Sequence, residues 1–129
     1  MSRGLPTERV QADKGWKGRI MTVLEIAREL GFKEICLPCP EKEINGVYIG
    51  DLLSWVMGNA DSGNVWITIM SNINTVAVAT LADVSCILLA EGVMPDADTL
   101  EVAKAKGVNI LSTRLSAYEA AIKLHGIVN

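Results

Sequence analysis

The spacing of hydrophobic positions along this chain changes several times, and the changes delimit its elements. Val23, Ile26, Ala27 and Leu30 recur at helical spacing, behind a capping box of Thr22 and Glu25 and ahead of a stop at Gly31. Glu34 to Leu37 reads as a short strand ended by Pro38 and Pro40, and Gly46 to Ile49 as a second. Asp51 is placed to cap a helix whose inward face is Leu52, Leu53, Val56, Met57 and Ala60. After the turn 61–64, Val65 to Met70 is a strand rich in branched residues.

Thr75 to Ala82 carries two periods at once. Val76 and Val78 alternate as in a strand, whereas Ile73, Val76, Ala77, Thr80 and Leu81 fall on one helical face. The apolar runs on either side, Val65 to Met70 and Val84 to Leu89, look like parallel strands covered on both faces. Parallel neighbours need a crossover, which decides for helix. Pro95 and Asp96 open a further helix that stops at Gly107, and Val108 to Leu111 is another strand. Ser116 and Glu119 form a second capping box, heading a last helix with Ala117, Ala120, Ala121 and Leu124 inward and Gly126 as its stop. Strand and helix alternate throughout, so the expected fold is a single three-layer α/β/α domain with a mostly parallel sheet.

Residues 1–20 follow neither period and are expected to be a flexible arm, with the domain occupying 21–129. Lys17-Gly18-Arg19 can be encoded by a purine-rich stretch of the kind that recruits bacterial ribosomes. Met21 follows at the right distance, so the arm is read as lying outside the natural chain. It holds five basic residues and two acidic ones, which leaves the rest of the chain with a net charge of −6. An acidic body with few aromatics cannot replace the counterions of a phosphate backbone, so nucleic acid is not an expected partner. No apolar run reaches the ~20 residues that cross a bilayer, and no signal peptide is recognisable. Three cysteines without an export signal point to a cytoplasmic protein.

Chemistry is sparse. Cys36-Leu37-Pro38-Cys39 has the spacing of a thiol redox site, but acidic Glu41 and Glu43 follow instead of a helix whose positive end would activate a thiol. As metal ligands the pair lacks two partners of suitable spacing, so Cys36 and Cys39 read as ordinary loop cysteines. No catalytic or phosphate-binding motif is present, and His125 falls in the last turn of a helix, where an imidazolium suits the dipole. The remaining candidates are polar loops at the carboxyl ends of the strands: Gly50 and Asp51, Ser71, Asn72 and Asn74, Glu91 and Gly92, Ser112 and Thr113. Ligands of open α/β sheets bind at that edge; short polar residues are also simple turn formers and caps. No cofactor is expected.

Three segments, GVYIGDLLSWVM (46–57), VWITIM (65–70) and VSCILLAEG (84–92), resemble a DRTGG domain in order and content. The likeness continues through Pro95-Asp96, GVNILST (107–113) and the closing helix, over roughly residues 22–127. It implies a fold like the N-terminal domain of HPr kinase/phosphorylase and the regulatory domain of long phosphotransacetylases. It also implies a regulatory or ligand-binding role without catalysis, any enzyme activity coming from a partner chain. Two departures stand out. Ser71-Asn72-Ile73 occupies the place of Gly-Asp-Arg, and Ala90-Glu91-Gly92 that of Thr-Gly-Gly, which removes positive charge where a phosphate would bind.

The resulting expectation is a regulatory module that binds a small metabolite or nucleotide and acts through a partner enzyme or signalling protein. A ligand-free scaffold and a thiol redox or metal-responsive protein are the alternatives. Trp55 lies on the side of its helix away from Leu53 and Met57, as an interface anchor would, and a homodimer is expected.

Overall fold

The computed structural model describes residues 19–128. In chain order these form β1 (Met21–Thr22), α1 (Val23–Leu30), β2 (Lys33–Cys36), β3 (Glu43–Ile44), β4 (Gly46–Ile49) and α2 (Leu53–Asn59). There follow β5 (Asn64–Thr68), α3 (Ile73–Ala82), β6 (Cys86–Leu89), α4 (Ala97–Lys106), β7 (Ile110–Ser112) and α5 (Ala117–His125). The main sheet has the order β2-β7-β6-β5-β4, with β4 to β7 parallel and β2 antiparallel to β7. Thus the segment with two competing periods is helical, and the sheet is mostly parallel.

Alternation along the central strands sorts the core into two layers. Val65, Ile67, Cys86, Leu88 and Leu111 face α1 and α5, meeting Val23, Ile26, Ala27, Ala120 and Leu124. Trp66, Ile87, Leu89 and Ile110 face the other way, against Val56 of α2, Val76 and Ala79 of α3 and Ala103 of α4. Both capping boxes form: Thr22 and Ser116 accept from the amides of Glu25 and Glu119, whose carboxylates accept in return. Gly31 and Gly107 close α1 and α4 in the left-handed conformation that glycine adopts without steric cost.

Two local expectations change, and a third is not reached. Residues 21–22 and 43–44 pair as a two-stranded antiparallel ribbon, which puts Met21 in the core. The arm expectation lies outside the described residues up to position 18; Arg19 is bonded to Glu25. The inward face of α2 is narrower than its sequence suggests. Only Val56 is buried, while Leu52 and Met57 are exposed. A seven-residue helix over the edge strand has a helical neighbour on one side only, so it can bury little more than one ridge.

Asn109, buried at the start of β7, ties the loop after β2 to the sheet. Its Oδ1 accepts from the Cys39 amide at 2.9 Å, and its Nδ2 donates to the carbonyls of Cys39 and Ser85 at 2.7 and 2.9 Å. Asn109→Ala strands these backbone groups and should cost about 2–4 kcal/mol, read from the shift in urea midpoint at unchanged slope. A loss below about 0.5 kcal/mol would show that water replaces the side chain freely.

Candidate functional site

Because β4 to β7 run in parallel, their carboxyl ends and the polar loops that follow share one crest. At its β4 end, Asp51 does not cap α2. The N-cap is Leu52, without a side-chain bond, and the Asp51 carboxylate instead accepts from Thr68 Oγ1 at 2.7 Å and the Ile69 amide at 3.0 Å. It therefore clamps the loop after β4 to the end of β5. Gly50 beside it is structural: its carbonyl accepts from the Trp66 indole at 2.8 Å, and a Cβ there would press on Tyr48 and Val56.

The gap between β6 and β7 is where consecutive loops part, one leading to α4 on one face and the other to α5 on the opposite face. In open α/β sheets such a parting opens a ligand crevice. Here it is bridged. The Glu91 amide donates to Leu115 O, the Gly92 amide to Thr113 O and Ser112 Oγ to Val93 O. Thr113 Oγ1 accepts from the Leu115 amide. Glu91 and Gly92 both take positive φ, 62° and 75°, to make this closure. Four of the sequence-selected residues, Glu91, Gly92, Ser112 and Thr113, thus meet at a seam whose backbone groups are largely satisfied within the chain.

A narrow recess with about 10 Å³ of free volume lies between the first turns of α3 and α4. Met70, Ser71, Asn72, Thr75, Pro95 and Thr99 border it above Val76, Ile87, Leu89 and Ile110. Asn72 caps α3 by accepting from the Thr75 amide at 3.2 Å; Asn74 is exposed in the same first turn. Asp96 caps α4 by accepting from the Thr99 amide at 2.8 Å, and this bond above all holds its carboxyl below the usual aspartate range. Thr99 itself is 2% exposed, and its Oγ1 has no hydrogen-bond partner. Sequence reasoning selected Ser71, Asn72 and Asn74 but missed Thr75, Pro95 and Thr99. Three residues after an aspartate cap, Thr99 reads as an ordinary first-turn residue, so nothing in the pattern marks its hydroxyl as unpaired.

The DRTGG-domain family profile matches residues 41–127. The chain belongs to the DRTGG family. No curated protein matches it significantly. Among solved structures it is similar to the CBS and DRTGG domains of the regulatory region of Clostridium perfringens pyrophosphatase, complexed with the activator diadenosine tetraphosphate. The two share 16% identity with a TM-score of 0.66, over 80% of this chain and 46% of that one. The chain thus spans about half the length of that structure, and the likeness is one of fold. In this DRTGG domain the two departures, Ser71-Asn72-Ile73 and Ala90-Glu91-Gly92, lie in the loops after β5 and β6, on the crest just described.

The cysteines sit elsewhere. Cys36 is buried on β2, Cys86 is buried on β6 and Cys39 is half-buried in the loop after β2. Burial pushes the Cys36 thiol up and the Cys86 thiol up to about 12, the opposite of an activated redox thiol. Among the described residues, no three His, Cys, Asp or Glu side chains gather as a metal site. No described helix is long and apolar enough to cross a membrane. Iodoacetamide on the native protein at pH 8 should modify Cys39 first and leave Cys86 untouched until the chain is unfolded. Peptide mapping that finds Cys86 labelled as fast as Cys39 would contradict this.

Proposed function

We propose that this DRTGG domain is a regulatory module that binds a small molecule at its crest and acts through a partner protein in the cytoplasm, without catalysing a reaction itself. The observation that carries the reading is its shared fold with a DRTGG domain in the regulatory region of an enzyme. The loops along the crest add polar groups suited to binding, drawn from Gly50, Asp51, Ser71, Asn72, Asn74, Glu91, Gly92, Ser112 and Thr113. Four carboxylates are spent on structure: Glu25, Asp96 and Glu119 cap helices, and Asp51 clamps a loop. A nucleotide or another small metabolite is the ligand class, and an enzyme or signalling protein the partner. A ligand-free scaffold is the second reading, favoured by the bonded seam between β6 and β7.

A ligand that binds only the folded state stabilises it by about 2.7 kcal/mol at one hundred times its Kd, which moves the melting temperature by several degrees. Thermal melts with AMP, ATP, diadenosine tetraphosphate, adenosine and the free amino acids should therefore single out one compound or class. Flat melting temperatures across the panel would leave the scaffold.

The module is proposed to work as a homodimer. β4 ends the sheet, and its outer edge pairs with no other described strand. No charge or proline blunts that edge between Asn45 and Gly50, the usual protection of a solvent-facing strand. Around a two-fold axis such a strand is its own antiparallel partner. Trp55, 62% exposed on the helix that covers the β4 side, supplies with Leu52 and Ile49 the apolar surface a second copy would bury. Sedimentation should show a dimer at micromolar concentration, and Trp55→Ala should convert it to a folded monomer. A wild type that sediments as a monomer would refute the pairing.

A further inference from the structure

We propose that the outer face of α3 is the surface on which the partner protein docks, and that the partner presents a helix with an apolar face and lysines or arginines toward one end. The surface rests on the partner-mediated role proposed above and gives that partner its chemistry.

Charge is missing where a solvent-facing helix usually carries it. The seven residues of α2 and the ten of α3 include no Asp, Glu, Lys or Arg. On α3, Val76, Val78 and Ala79 are buried against the sheet, whereas Ile73, Ala77, Thr80 and Leu81 are exposed, Leu81 to 72%. Ile73, Ala77 and Leu81 stand four residues apart, so they follow one line along the helix. Exposed Ile69 prolongs that line toward the crest. Ala77 between two larger side chains leaves a hollow, the shape into which a side chain of a packing helix fits.

The rim of this face is charged, and unevenly so. At the crest end stand Asp51, whose carboxylate holds the Ile69 amide, and Asp96 and Asp98 at the start of α4. None of the three is ion-paired with another described residue. At the other end the signs are mixed. Asp83 closes α3 and lies 3.9 Å from Lys42, and Lys104 and Lys106 occupy the last turn of α4. Protein interfaces combine a charge-depleted centre with a polar rim, and the sign of the rim selects the partner. Here it selects basic groups over the crest end, and it repels an anionic membrane.

The face also stays free in the proposed homodimer. α3 packs on Trp66 of β5 and Ile87 of β6, one helix in from the β4 edge at which two copies would meet.

Leu–Lys and Leu–Glu peptides with every leucine on one helical face share an apolar stripe and differ in charge. Titrated into the ¹⁵N-labelled protein, the Leu–Lys peptide should give saturable shifts of the Ile69, Ile73, Ala77 and Leu81 amides that weaken as salt rises. The Leu–Glu peptide should give none. Ala77→Lys keeps a good helix former and should weaken the docking by about tenfold or more, whereas Ala105→Lys, exposed on α4, should change it by less than about twofold. Equal shifts with the Leu–Glu peptide, no saturable shift with the Leu–Lys peptide, or undiminished docking in Ala77→Lys would each overturn the surface. So would an Ala77→Lys chain that sediments as a monomer where the wild type is a dimer, because a second copy would then cover the face. If docking fails while a compound of the thermal panel stabilises the protein, the regulatory reading stands with its partner surface elsewhere. Docking with a flat panel would keep the α3 surface and assign it to the ligand-free scaffold.

Discussion

Burial of β5 and β6 on both faces is the constraint on which the rest of the structure depends. Every residue of Asn64–Thr68 and of Cys86–Leu89 is buried. A strand in that position cannot leave either face to water, so each face must carry a helical layer. The two layers divide the helices between them, α1 and α5 against α2, α3 and α4. At about 1.5–3 kcal/mol for each large apolar side chain removed from water, these two strands anchor most of the core. Their parallel pairing also brings the polar loops together, since parallel strands end at the same edge.

The two edges of the sheet are finished differently. At the amino edge, side-chain amides and a hydroxyl, buried except at Asn45, stitch loops to strands. Asn64 donates to Asn45, Asn45 to Ser62 O, Ser85 to Glu43 O, and Asn109 to Cys39 O and Ser85 O. At the carboxyl edge, Asp51 secures one end and the β6–β7 seam the other. Among the described residues, the buried side-chain polar atom without a hydrogen-bond partner is Thr99 Oγ1, in the first turn of α4. Both edges are thus held by side-chain hydrogen bonds, the amino edge by amides and a hydroxyl and the carboxyl edge by Asp51 and Ser112.

Much of this fold was legible in the sequence because periodicity reports burial directly. The continuous apolar runs at 65–70 and 84–89 implied a covered parallel sheet, and that implication turned an ambiguous segment into α3 by demanding a crossover. What stayed hidden has physical reasons. A ribbon of two residues per strand has no period, so Met21 read as the start of the domain and not as core. The inward face of α2 was drawn too wide because spacing tells which residues share a face, not whether a neighbour exists to cover it. The closure between β6 and β7 is made mostly by backbone groups, which residue types do not announce. Thr99 was invisible for the converse reason: a threonine in a first turn normally finds a partner.

The departures from the family pattern also make sense as local physics. Asn72 stands where the pattern has aspartate, and it is the N-cap of α3. Asparagine caps as well as aspartate does, so the cap survives while one negative charge goes. The adjacent arginine of the pattern is Ile73 here, largely exposed, so the opposite charge goes with it. Glu91 takes the left-handed conformation that favours glycine, φ 62°. A non-glycine residue there carries a steric cost of about 1–2 kcal/mol. The amides of Glu91 and Gly92 hold it by their bonds to Leu115 and Thr113 across the seam. In this chain the α3 cap and the β6–β7 seam therefore form with the side chains of Asn72, Ile73 and Glu91 in these loops.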